Sequence, residues 1–132
     1  MENKFEMGPL QKEWVKTLRE HPERQHTRSL GFKDEEGWHL CCLGQLYVLA
    51  VGEENALVDG IVACNGDEKV LSGMYLECGL NNNTGSLKGG FYTHKDQSKS
   101  WMLSAMNDKG ATWPEIADFI EANPSKVFTK AV

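Results

Sequence analysis

The chain has 132 residues, of which 40% are hydrophobic and 25% charged, ordinary globular values that exclude disorder and a collagen-like repeat. That length predicts one domain over residues 1–132 with a single core. A formal net charge of -5 argues against a general nucleic-acid binder, whose affinity for phosphates comes from an excess of Lys and Arg.

The opening M-E-N-K-F-E-M-G-P-L carries acidic residues and no apolar h-region, so we expect no signal peptide and a cytoplasmic location. In that compartment the four cysteines, Cys41, Cys42, Cys64 and Cys78, are expected as buried thiols and not as bridges. Pro9 suits the first turn of a helix, and Leu10, Trp14 and Leu18 follow on one face. His21-Pro22 ends that helix, because the residue before a proline is pushed out of the α region. Thr27–Phe32 and Trp38–Cys42 then predict a hairpin around Asp34-Glu35-Glu36-Gly37.

Trp38 to Val51 is the longest stretch without a charged side chain, yet it is shorter than the about 20 apolar residues that cross a membrane. It is expected to form the core. Leu43, Leu46, Tyr47 and Ala50 have the spacing of one helical face, with Gly52 as the stop. Ile61-Val62-Ala63-Cys64 predicts a short strand closed by Asn65-Gly66. Asp67 then caps a helix carrying Val70, Leu71, Met74 and Cys78, stopped by Gly79 and weakened by Gly73.

From Asn81 to Ser100 the chain is polar and glycine-rich, which predicts a loop with a short hairpin through Phe91-Tyr92-Thr93. Trp101, Met102, Ala105 and Met106 predict the buried stripe of a helix that ends at Asn107-Asp108-Lys109-Gly110. Thr112-Trp113-Pro114-Glu115 is a capping box for a last helix that buries Ile116, Phe119 and Ile120 and ends at Asn123-Pro124. The fold expected is therefore α+β, a small antiparallel sheet packed against helices and closed by a C-terminal αα-hairpin.

That αα-hairpin looks like the start of a DNA-binding helix-turn-helix, but no recognition helix follows, and Glu115, Asp118 and Glu121 on its second helix would repel phosphates. Binding to duplex DNA is not expected. His39, Cys41 and Cys42 are zinc-ligand and nucleophile types, but they do not supply the four ligands of a structural site, so no metal and no cofactor is expected. All three arginines, Arg19, Arg24 and Arg28, fall within ten residues and are flanked by Lys16, His21, His26 and Lys33. Guanidinium groups bind phosphate through paired hydrogen bonds, so this segment is a candidate phosphate site, set against a solvated face paired with Glu20 and Glu23. Ser86–Lys95 is a second candidate, since its glycines let backbone amides approach an anion and Phe91 or Tyr92 can stack on a base.

C-C-L-G-Q-L at Cys41–Leu46 and M-N-D-K-G-A-T-W-P-E-I-A-D-F-I-E at Met106–Glu121 resemble a widespread family of small uncharacterised phage and prophage proteins. Its members read W-x-x-A-L-R-S-G, K-Q, F-C-C-L-G-V-L and L-N-D-x-G-x-S-F-x-E-I-A. Trp14–Arg19 matches the first element and Arg24-Gln25 the second, and the resemblance covers most of the chain outside residues 53 to 97. Trp38-His39-Leu40 replaces the short aromatic approach to C-C-L-G, and Trp113-Pro114 replaces part of the S-F-x run. The resemblance implies phage origin and, by analogy with small phage proteins lacking enzyme motifs, a counter-defence role.

The expectation is a non-enzymatic protein that sequesters a small phosphorylated nucleotide signal, such as a cyclic ADP-ribose relative or a cyclic dinucleotide. Arg24 and Arg28 would hold phosphates, Gln25, Asn107 and Asp108 would bond ribose or base, and Trp38 or Tyr92 would stack. The alternatives are a protein-protein inhibitor of a host target and a small enzyme using Cys42 or Asp108. A homo-oligomer is left open, and no membrane partner is expected.

Overall fold

The computed structural model describes residues 5–27, 29–62 and 68–132, with residues 68–71 as backbone only. The fold is α+β: a four-stranded antiparallel sheet and a separate two-stranded sheet pack against helices. Helix α1 runs from Pro9 to Glu20 with its proline in the first turn. It buries Trp14, Val15 and Leu18, and the Trp14 indole donates to the Cys42 carbonyl at 2.9 Å. A 3-10 turn, Pro22–Arg24, follows.

Strands β1 (Gly31–Asp34) and β2 (Gly37–Leu40) form the expected hairpin, with Gly31 opposite Leu40 and Asp34 opposite Gly37. The first strand starts later than the apolar pattern of Thr27–Phe32 indicated. Helix α2, Cys42–Val51, begins earlier than expected, because Cys41 leaves the strand to cap it and its sulfur accepts from the Gly44 N–H at 3.3 Å. Gly52 ends α2, and a single helical turn, α3 (Glu53–Ala56), follows.

Strands β3 (Leu57–Val58) and β4 (Ile61–Val62) form a second hairpin, and the sheet order is β2-β1-β4-β3. Asp59 and Gly60 both have positive φ, 52° and 79°, the backbone of a two-residue hairpin turn for which Asp-Gly is the favoured dipeptide. Ala63, Cys64, Asn65, Gly66 and Asp67 lie outside the described residues. Helix α4, Glu68–Glu77, buries Tyr75, whose hydroxyl donates to the Leu43 carbonyl, and Cys78 is buried just beyond its end.

The stretch expected as a loop holds strands β5 (Tyr92–Thr93) and β6 (Lys99–Ser100), paired antiparallel. Helix α5 runs from Leu103 to Asp108 and α6 from Trp113 to Ala122, the αα-hairpin, with both halves of the Thr112–Glu115 capping box formed. The buried stripe of α5 is Leu103, Met106 and Asn107, and not Trp101 and Met102. Trp101 precedes the helix and is 55% exposed. Pro124 then opens one further turn, α7 (Pro124–Val127), which sets Phe128 against Trp14 with ring centroids 6.1 Å apart. The buried side chains form one cluster, with Trp14, Leu46, Met106, Trp113 and Ile120 all fully buried.

Candidate functional site

Gln25, Cys42, Asn107 and Trp113 converge as an internal bracket. Asn107 is fully buried at the end of α5. Its side-chain oxygen accepts from the Cys42 backbone N–H at 3.2 Å, the Trp113 indole at 3.1 Å and the Gln25 amide at 3.3 Å. Its amide nitrogen donates to the His26 carbonyl at 2.7 Å. Gln25 is engaged as fully: its nitrogen also donates to the Ala111 carbonyl, and its oxygen accepts from the Trp113 N–H. Gln25 and Asn107, expected to bond a ribose or base, are thus both engaged within the protein. For the fully buried Asn107, a bond to a ligand would require breaking one of these.

Both described arginines of the arginine segment are engaged by the protein. Arg19 on α1 donates to Glu121 at 2.9 Å and to Asp118 at 2.8 Å on α6, so its partners are these and not Glu20 or Glu23. Hydrogen bonding and charge from Arg19 hold the Glu121 carboxyl below its ordinary range. Arg24 donates to the buried Gln45 side chain on α2 at 3.0 Å. Arg28 lies outside the described residues. Asp108 is exposed, bordering a cleft of about 220 Å³ with Ser29, Cys41, Asn83 and Ser104.

Trp38 and Tyr92, the expected stacking residues, are both already partnered. The Lys33 ammonium sits 4.9 Å from the centre of the half-buried Trp38 ring. Tyr92 turns inward and meets Phe119 and His94 edge-on, with centroids 5.5 and 4.9 Å away. Burial, then the charge of Glu115, raises its phenol pKa.

Among the described residues, Cys41 and Cys42 are not ready nucleophiles. Cys42 is fully buried and its sulfur donates to the Leu103 carbonyl. Burial pushes its pKa well above the ordinary thiol value and pushes that of Cys41 up to about 11, so both stay protonated near neutrality. His39 lies on β2, where it stacks on Phe32 at 4.5 Å and bonds Asp34 at 3.0 Å. Among the described residues no three His, Cys, Asp or Glu side chains are grouped to hold a metal. In a Cys64→Ser background we expect Cys41 and Cys42 to resist a thiol reagent at pH 8 and to react fully once denatured, as followed by absorbance. Fast native labelling of either would contradict this burial.

An unpartnered surface appears on the β5–β6 hairpin instead. Tyr92 is opposite Ser100 and Thr93 opposite Lys99, and successive residues of a strand point to opposite faces. The inner face carries Tyr92, His94 and Ser100, where His94 and Ser100 are buried and bonded at 2.7 Å. The outer face carries Phe91, Thr93, Lys99 and Trp101. Phe91 is 43% exposed and Trp101 55%. Their ring centroids are 5.9 Å apart, and the Lys99 ammonium is 4.4 Å from the Phe91 ring.

Residues 86 to 110 hold four lysines against two aspartates, the reverse of the chain's overall balance. Lys109 crosses the hairpin to donate to the Lys99 carbonyl at 3.1 Å. Phe91 was legible as a stacking candidate from its glycine-rich setting. Trp101 was not, because its spacing with Ala105 also fits a buried helical stripe. No protein-family model, curated protein or solved structure matches this chain.

Proposed function

We propose that the protein is a non-enzymatic binder of a small phosphorylated nucleotide, with the outer face of the β5–β6 hairpin as its site. The observation that carries this is the adjacent exposed pair Phe91 and Trp101 with Lys99 against it. Two large rings left side by side in water forgo burial worth about 25 cal/mol per Å², and contiguous exposed apolar surface marks a binding site. A base stacked on an aromatic side chain contributes about 1–3 kcal/mol, and ammonium groups beside the rings complement a phosphate. The protonated, buried thiols favour capture over turnover.

The resemblance of two motifs to phage proteins supplies the biological setting, in which the protein keeps a host signal from its receptor. The test is a thermal-shift and calorimetric screen of nucleotides, cyclic dinucleotides and ADP-ribose derivatives, because a ligand specific for the folded state stabilises it by mass action. Trp101→Ala is expected to lower affinity about tenfold or more while leaving stability within about 0.5 kcal/mol. The ligand is expected back intact after the complex is denatured. A chemically altered ligand, or full affinity in the Trp101 variant, would sink the proposal.

A second reading, inhibition of a host protein by direct contact, draws on the same two rings, since exposed Trp side chains are frequent interface anchors. It predicts a captured protein lost on Trp101→Ala and no thermal shift with any small molecule.

A further inference from the structure

The corner that precedes Phe91 is built on two consecutive glycines. Gly89 and Gly90 have positive φ, 63° and 123°, and among the described residues neither backbone N–H has a hydrogen-bond acceptor. A side chain at Gly89 would meet nothing, and a Cβ at Gly90 would lie 3.6 Å from the Lys126 ammonium on α7. The corner is tied down on one side. The Lys88 N–H donates to the Lys126 carbonyl at 2.8 Å and the Lys88 ammonium to the Phe128 carbonyl at 2.6 Å. Among the described residues neither Lys99 nor Lys126 is paired with a carboxylate. With no side chain in the way, free amides at glycines allow close approach of an anion.

Resting on the nucleotide reading above, we infer that Gly89, Gly90, Lys99 and Lys126 form its phosphate subsite. Phe91 follows Gly90 directly, so the anion sits next to the ring pair. The ligand class is therefore a nucleotide whose phosphate lies one sugar away from the stacked base. A free nucleotide and a single-stranded nucleic acid share this chemistry, and the sequestering role commits to the free form. The Lys88 bonds hold the amides in place before binding, which removes part of the ordering cost.

The experiment is calorimetry on the full chain with the four nucleoside 5′-monophosphates, the matching nucleosides and a single-stranded deoxyoctamer, at two salt concentrations. Monophosphates are expected to bind about tenfold or more tighter than nucleosides, and the gap should narrow with salt. Lys126→Gln is expected to bring the gap below about threefold, with Lys126→Arg restoring it. A gap that survives both Lys126→Gln and Lys99→Gln overturns the subsite. Equal binding of nucleosides and monophosphates, lost together on Trp101→Ala, overturns the subsite but leaves base stacking standing. If nothing binds, the nucleotide reading itself fails. An octamer bound far tighter than any monophosphate keeps the subsite and overturns the free nucleotide as its occupant.

Discussion

Replacing Asn107 with alanine is expected to lower the unfolding free energy by about 4 kcal/mol, because it leaves several buried groups without partners at once. The Cys42 N–H and the Trp113 indole N–H lose their acceptor, and the His26 carbonyl loses its donor. Cys42 and Trp113 are fully buried, so water cannot replace the amide without opening the core. Each orphaned buried group costs about 1–3 kcal/mol. Asn107→Asp keeps the acceptor but sets a carboxylate oxygen against the His26 carbonyl, so it should be no milder.

Gln25→Ala removes bonds from a half-buried residue and should cost less, about 1–2 kcal/mol. Urea denaturation of the three variants checks the order. A loss below about 1 kcal/mol for Asn107→Ala would mean that the bracket does not hold the three segments together.

This bracket shows why the fold was more legible than the site. Helices α1 and α6 announce themselves through local chemistry: Pro9 at a helix start, and Thr112 with Glu115 as a capping box. The β1–β2 hairpin was visible in Asp34–Gly37. Of the β3–β4 hairpin, Ile61-Val62 is legible as a strand and Leu57-Val58 is not, although Asp59-Gly60 is a strong turn signal, because a two-residue strand carries almost no alternation to detect.

From sequence, Asn107 and Gln25 read as ligand contacts because nothing local reveals their partners. Those partners lie as far as 88 residues away in sequence. The neutralisation of Arg19 has the same cause, with its carboxylates 99 and 102 residues along the chain. Trp101 was placed in the core because spacing alone does not say where a helix begins. The helix starts at Leu103, and that two-residue difference turns the ring from the interior to the surface.

The glycine of C-C-L-G carries the other large effect. A Cβ on Gly44 would stand 1.9 Å from the Leu30 carbonyl oxygen and 2.8 Å from its carbon. That neighbour is backbone and cannot rotate aside. The same carbonyl accepts from the Cys41 N–H at 3.1 Å, so moving it disturbs the residue that caps α2. Overpacking a well-filled interior costs about 1–3 kcal/mol, and with the capping bond strained as well we expect about 3 kcal/mol for Gly44→Ala.

Gly73 is the control. It lies inside α4, and a Cβ there would meet nothing within 4 Å, so Gly73→Ala should stabilise by about 0.5–1 kcal/mol through helix propensity. Opposite signs in thermal denaturation would show that Gly44 is required for close approach and not for flexibility. Nucleotide affinity separates this role from the proposed site. The folded fraction of Gly44→Ala should bind as the parent does, because the β5–β6 surface does not include the Leu30–Gly44 contact. Affinity lost in proportion to stability would tie the two regions together and move the site toward α2.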